Sequence, residues 1–331
     1  MYSAISGLEA HQQMLNVTAN NLANVDTIGF KAQRTTFESE LSMLISGGSG
    51  QTAANGGTNP EQVGLGVGVG SIDQIMSAGS PESTGNALDV AIQGDGFLVV
   101  GSSSNAVTAP GAGYQPPLAA SNQAVAINAN SVANGATGVT DAQLPTDVSY
   151  TRAGNLTTDA QGFLTTASGQ YVIGYATPQS AAQANAPGSN AAQTGAGSTY
   201  MYIPPGSTNI SIGQTGAVTY TDNTTGTTNY GQTCVAGYVA LAAFPNEAGL
   251  TRQAGTSWSA SPNSGSPSFG TPDSGGFANT QTISGELEQS NVDMATEFTN
   301  MIEAERGYQA NSSVISTGDQ MMQTLIQMAG A

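Results

Sequence analysis

"NNLANVDTIGFK", residues 20–31, brings a helix to an abrupt stop. Asn, Asp and Thr compete with helical hydrogen bonding through their own side chains, and Gly adds backbone freedom. The stretch closes on Phe30 and on Lys31, the single lysine of the chain. Upstream, Met1, Ile5, Leu8, Gln12, Leu15, Ala19 and Leu22 recur at alternating spacings of four and three, with His11 beside them. That spacing predicts one seam of a helix about 35 Å long. Residues 20–31 are therefore where the chain leaves a long amphipathic helix.

A matching stripe lies at the other end, in "SNVDMATEFTNMIEAERGYQANSSVISTGDQMMQTLIQM", residues 290–328. Met294, Phe298, Met301, Tyr308, Ile315 and Met322 form it, flanked by Ile302, Val314, Met321, Leu325 and Met328. Ser290 or Asn291 is the expected N-cap, with Asp293 in the first turn to complement the helix dipole. Either helix alone would expose its stripe to water. Pairing the two is expected to bury both, at about 1.5–3 kcal/mol per large side chain. An ordinary helical hairpin closing a globular domain gives the same pattern. The terminal position of both helices, with β-rich sequence between them, argues for a separate helical layer.

The fold class expected is α+β: long paired N- and C-terminal helices, coiled-coil-like, flanking mainly antiparallel β domains. The expected division is 1–30 with 286–331 as the helical part, 31–70 as a tether, and 71–176 with 201–285 as the β-rich part. In the tether, Phe37, Leu41, Leu44 and Ile45 suggest a short apolar turn, and "SGGSGQTAANGGTNP" (46–60) is glycine-rich. "VGLGVGVGSIDQI" (63–75) alternates apolar and small residues, as a strand packed closely on another backbone does. "LDVAIQGDGFLVV" (88–100) reads as a hairpin turning at Gly-Asp-Gly. "YTRAGNLTTDAQGFLTTASGQYVIGY" (150–175) reads as short strands joined by tight turns. Two polar, low-complexity insertions, 101–147 and 177–200, interrupt the β part.

Composition narrows the function. Net charge is −17, from 22 acidic against 5 basic residues. Such a polyanion repels phosphate, so no nucleic acid partner and no anionic membrane surface is expected. Charged residues are 8% of the chain, against about 25% in ordinary soluble domains, a surface suited to repetitive packing on other chains. No stretch approaches the roughly 20 apolar residues of a membrane span, so no membrane insertion is expected. The N-terminus lacks the basic and apolar regions of a secretory signal.

Enzymatic chemistry finds no foothold. His11 is the sole histidine and Cys234 the sole cysteine, so no disulfide forms within the chain and no nucleophile–histidine pair assembles convincingly. "GLGVGVG" (64–70) invites a nucleotide-loop reading, but no Gly-Lys-Ser/Thr and no helix follow it. "GDGFL" and "TTDAQGF" fit turns better than calcium loops. No catalytic residue, metal ligand or cofactor is expected.

"SGLEAHQQMLNVTANNLANVDTIGFKAQRTTFE" (6–38) resembles the N-terminal signature of the bacterial flagellar rod and hook family. "NALDVAIQGDGFLVV" (86–100), the 150–175 strands and residues 285–328 resemble later blocks of that family, in the same order. The resemblance implies a structural subunit that polymerises with copies of itself into a hollow helical tube whose inner wall is the paired terminal helices. Ile5, Leu8, Leu15, Leu22, Phe30, Met294, Phe298, Met301, Ile302, Tyr308, Ile315, Met322 and Leu325 would form the assembly interface. Phe30 would fill an apolar gap where the chain leaves the wall, or make a plain local core contact.

The implied partners are further copies, other flagellar axial proteins (rod, hook cap, hook–filament junction) and the type III export apparatus. The implied location is the hook and basal body, reached without a cleaved signal peptide. Phe37 and Leu41 in "FESEL" resemble a short export element, or one amphipathic helical turn. Within the family, "NPEQVGLGVGVGSID" (59–73) and the chain length favour the hook, a bent universal joint. The compact wording of "FPNEAGLTRQAGTSWSAS" (244–261) favours the distal rod, a straight drive shaft. The hook is the first reading and the distal rod the alternative. A secreted β-rich adhesin with a terminal coiled coil is the reading from a different class.

Overall fold

The computed structural model describes residues 2–48, 50–51, 56–57, 59–102, 147–175, 198–223 and 230–329. Most of both expected insertions lies outside the described residues. The chain divides into two compact units: 1–25 with 31–75 and 292–331, and 26–30 with 76–291.

The first unit contains both long helices, α1 (Tyr2–Ala23) and α2 (Met294–Ala329). They pack antiparallel, with Gly7 beside Asn311 and Gly307 beside His11. Both are shorter than expected. The chain turns after Ala23, where the Asn24 N–H donates to the carbonyls of Asn20 and Asn21, both at 3.2 Å. At the other end, residues 286–288 form a strand, and α2 begins only at Met294.

The expected tether is paired strand. β1 (Gln33–Ser39), β2 (Ser42–Ser46), β3 (Glu61–Gly64) and β4 (Val67–Gln74) occupy it. β1 pairs antiparallel with β4, from Gln33 opposite Gln74 to Ser39 opposite Val67, with an irregularity at Thr36/Phe37. β2 pairs antiparallel with β3. The apolar turn expected around Phe37, Leu41, Leu44 and Ile45 is therefore extended chain. β-branched and aromatic residues on β1 and β4 favour the pleat, and pairing satisfies backbone groups that a slack linker would leave to water. The 63–75 run does lie against another element of its own chain. The Val67 N–H donates to Ser6 Oγ at 3.3 Å, and Gly66 sits so close to Ser6 that a Cβ would collide with it.

The second unit is a β body. Its main sheet runs, in spatial order, Thr208–Ile212, Ala217–Thr221, Thr233–Val239, Tyr171–Tyr175, Phe97–Ser102, Asp147–Thr151, Ser257–Ser259 and Thr251–Arg252. All of these neighbours are antiparallel. The central strand explains the apolar run "FLVV". Leu98 and Val100 enter a core with Val172, Val239 and Leu241. Phe97 and Val99 enter an aromatic core with Tyr150, Phe163, Tyr175 and Trp258. Alternation places successive side chains on opposite faces, so a strand covered on both sides is continuously apolar.

The expected 88–100 hairpin does not form. Val90–Gln93 pairs with Gln281–Ser284, while Phe97–Ser102 pairs elsewhere in the main sheet. Gly94 and Gly96 take φ of 118° and 119°, and the Asp95 carbonyl accepts from Thr280 Oγ1 at 3.0 Å. The Gly-Asp-Gly bend thus hands the chain from one sheet to another instead of folding it back. Downstream, Leu156–Thr158, Leu164–Thr166 and Tyr171–Tyr175 do meander antiparallel through tight turns.

Candidate assembly surface

The helix pair meets along a seam of small and polar residues. On α1 the buried positions are Ala4, Gly7, Ala10, Val17, Thr18 and Asn21. On α2 they are Ala304 and Gly318. A Cβ added to Gly7 would lie 2.8 Å from Asn311 Nδ2, and one added to Gly307 would lie 2.5 Å from the His11 ring. The glycines let the helices approach this closely, and the His11 ring fills the gap beside Gly307. His11 also packs against Phe37 of β1, with ring centroids 5.7 Å apart.

The expected mutual burial of the two apolar stripes is therefore corrected. On α1, Ile5 is exposed and Leu8, Leu15 and Leu22 are half-buried. On α2, Met301, Tyr308 and Ile315 are half-buried, while Met294, Phe298 (50%), Ile302, Met322 and Leu325 (56%) stand exposed. α2 has 36 residues and α1 has 22, so its last turns extend past α1 and bare Met321, Met322, Leu325, Ile326 and Met328. Water-exposed apolar side chains in such number mark an interaction surface. Phe37 and Leu41, the export-like pair, are also exposed, Leu41 at 82%.

At the far end of the pair, Asn21 carries three contacts. Its Oδ1 accepts the Gln33 N–H at 3.0 Å, and its Nδ2 donates to the Gln33 carbonyl at 2.7 Å and to Glu297 Oε1 at 3.2 Å. Burial raises the Glu297 pKa; hydrogen bonds from Asn21 and Asn300 oppose the rise, and nearby Asp293 adds to it. The N-cap of α2 is Asp293 rather than Ser290 or Asn291. Its Oδ1 accepts the N–H groups of Ala295 at 2.8 Å and Thr296 at 3.3 Å, satisfying donors the first turn leaves free.

Phe30 makes a local core contact within the β body. It is fully buried, with the Arg252 guanidinium 4.2 Å from its ring centroid. Gly29, at φ 67°, donates its N–H to the Glu288 carbonyl at 2.8 Å. The Asn21 contacts, the capping role of Asp293 and the Gly7/Gly307 contacts escaped the sequence reading. The signal for Gly7 and Asn21 is a second seam, Ala4, Gly7, His11, Met14, Thr18 and Asn21, displaced one position from the leucines.

Cys234 is buried in its strand; burial first, and then the charge of Asp222, raise its thiol pKa, the opposite of an activated thiolate. Among the described residues no group of three or more His, Cys, Asp or Glu side chains could hold a metal ion, and no helix is long and apolar enough to cross a membrane.

A close-packed helix pair with bare apolar flanks, carried on a chain with a β body, has the features of a structural building block. Three family descriptions match the chain: "Flagella basal body rod protein" over residues 1–31, "Flagellar hook protein FlgE/F/G D1 domain" over 138–220, and "Flagellar basal body rod FlgEFG protein C-terminal" over 283–328. The flagellar basal-body rod protein FlgG of Bacillus subtilis is 33% identical across 99% of this chain and 98% of its own. The rod protein FlgG of Caulobacter vibrioides is 31% identical across 98% and 97%. The flagellar hook protein FlgE of Borreliella burgdorferi is 27% identical across 99% of both chains. The chain belongs to the flagellar rod and hook family, as a structural subunit of the flagellar axis and not an enzyme.

Proposed function

We propose that this chain polymerises into the straight distal rod of the flagellum, with the exposed stripe of α2, beside the half-buried leucines of α1, as the surface that neighbouring copies cover. The observation that carries the assembly reading is the bare row Met294, Phe298, Ile302, Met322 and Leu325 beside a helix contact already closed by glycine and alanine. Residues 1–25, 31–75 and 292–331 carry assembly in this reading, and 26–30 with 76–291 form the β body. The end-to-end match to two rod proteins supports the rod. Other axial proteins would cap and continue the tube, and the type III export apparatus would deliver the unfolded chain, with Phe37 and Leu41 as its export element.

The hook is the second reading. It is supported by the end-to-end match to the hook protein FlgE of Borreliella burgdorferi. Electron microscopy of tubes grown from the purified full chain separates the two. Straight tubes support the rod, curved tubes support the hook, and no tubes under any condition would overturn the axial reading.

A further inference from the structure

Three segments distant in sequence converge inside the β body. They are 26–30, by which the chain arrives from the helical unit; 288–291, by which it returns; and 77–79, just after it enters a second time. At their centre Arg152 and Glu288 form an ion pair at 3.4 Å, each side chain 2% exposed. Arg152 Nη2 also donates to the Gly94 carbonyl at 3.0 Å, and its guanidinium lies 5.3 Å from the Phe97 ring centroid. Glu288 Oε1 accepts the Gly79 N–H at 2.9 Å, while its backbone carbonyl accepts the Gly29 N–H at 2.8 Å. Gly29 lies flat on the chain beside Arg152: a Cβ there would be 2.9 Å from the Arg152 carbonyl carbon and the Ala153 nitrogen. Asn291 Nδ2 donates to the Ser77 carbonyl at 3.1 Å.

We propose that Arg152 and Glu288 are a latch: a buried pair that holds the arriving and returning segments in one fixed arrangement. The physical case starts from what such a pair does not do. A buried ion pair is a poor source of net stability, because desolvating both charges offsets most of their attraction. Arg152 Nε is buried with no hydrogen-bond partner, so the site is not built to saturate the guanidinium. Its two terminal nitrogens instead reach two different segments, and the two Glu288 acceptors reach two more. The pair fixes position where an apolar pair would only fill volume.

The latch deepens the axial reading, since a subunit under torque needs its two chain passages locked together. It is tested in the monomer by amide exchange on the full chain, so its failure and that of the axial reading are distinguishable. The Gly29 amide bonds only the backbone of Glu288, so its exchange reports where the segment sits and not the loss of a carboxylate. The double variant Arg152→Met/Glu288→Leu removes both charges of the pair together and is expected to fold, with the Gly29 amide exchanging about tenfold faster or more. Parent-like exchange at Gly29 would overturn the latch, whatever Gly79 does after losing its acceptor. If the double variant does not fold, Glu288→Gln keeps the shape and the acceptor for Gly79 but removes the charge. Faster Gly29 exchange in that variant supports the latch, and unchanged exchange overturns it.

Discussion

Asn21 grips Gln33 by both of its backbone groups, accepting the N–H at 3.0 Å and donating to the carbonyl at 2.7 Å. The side-chain amide acts as a one-residue strand laid against the start of β1. It fixes the direction in which the chain sets off after α1, in a buried position where water cannot substitute. Asn21→Ala leaves both Gln33 groups without these partners and should destabilise the helical unit by about 1–3 kcal/mol. Asn21→Asp should be at least as damaging, because it removes the donor and faces Glu297 with a second carboxylate. Amide exchange at Gln33 measures both; parent-like protection in Asn21→Ala would refute the clamp.

The His11–Gly307 contact gives a prediction with its own control. Gly307→Ala places a methyl 2.5 Å from the imidazole, so the ring or the helix must shift. Overpacking of this kind costs about 1–3 kcal/mol. Shortening the opposing side chain should relieve it: His11→Ala/Gly307→Ala should be more stable than Gly307→Ala alone. Urea unfolding of the four chains of this cycle reads the coupling, and additive effects would mean that the ring and the glycine do not meet.

The exposed stripe should separate assembly from folding. Phe298→Asp and Leu325→Asp change side chains that the single chain leaves in water, so monomer stability should move by no more than about 0.5 kcal/mol. In a tube the same charges would be desolvated without partners, and polymerisation should fail. Melting of the monomer and electron microscopy of assembly mixtures measure the two effects. Normal tubes from both variants would remove these residues from the interface.

Alkaline pH should unfold the β body. Burial pushes the Tyr150 hydroxyl from its ordinary value of 10.0 up to about 12, and pushes Tyr175 up as well. Folding therefore favours the neutral phenols. Their contribution is fully present below pH 10, the unfolded-state value; for Tyr150 it is lost as pH rises through about 12, and for Tyr175 at higher pH still. For Tyr150 alone the two-unit rise corresponds to about 3 kcal/mol. Tyr150→Phe, at 3% exposure, should flatten the fall in melting temperature between pH 10 and 12. An unchanged slope would mean that Tyr150 titrates as in the unfolded chain.

The sequence by itself determined the two terminal helices, the β body between them and the bend after residue 20, because each has a local cause. A 4-3 spacing of apolar side chains can be satisfied only by a helix, "FLVV" needs cover on both faces, and Asn-Asp-Gly ends what precedes it. Sequence alone did not decide which helix faces meet. Ile5, Leu8, Leu15 and Leu22 form one seam, and Ala4, Gly7, His11, Thr18 and Asn21 form another one position away. The hydrophobic pattern favours the first, yet the chain closes on the second, because small residues allow backbones to approach and larger ones do not. Residues 31–70 read as a tether for a related reason: β1 and β4 are stable only as a pair, and their pairing joins Gln33 to Gln74 across the β2–β3 pair between them. The Gly-Asp-Gly bend at 94–96 carried a local turn signal, but the partners of the flanking strands came from residues 281–284 and 147–151. Long-range pairing of this kind, like the meeting of Arg152 with Glu288, leaves no periodicity in a sequence, because it depends on distance in space and not along the chain.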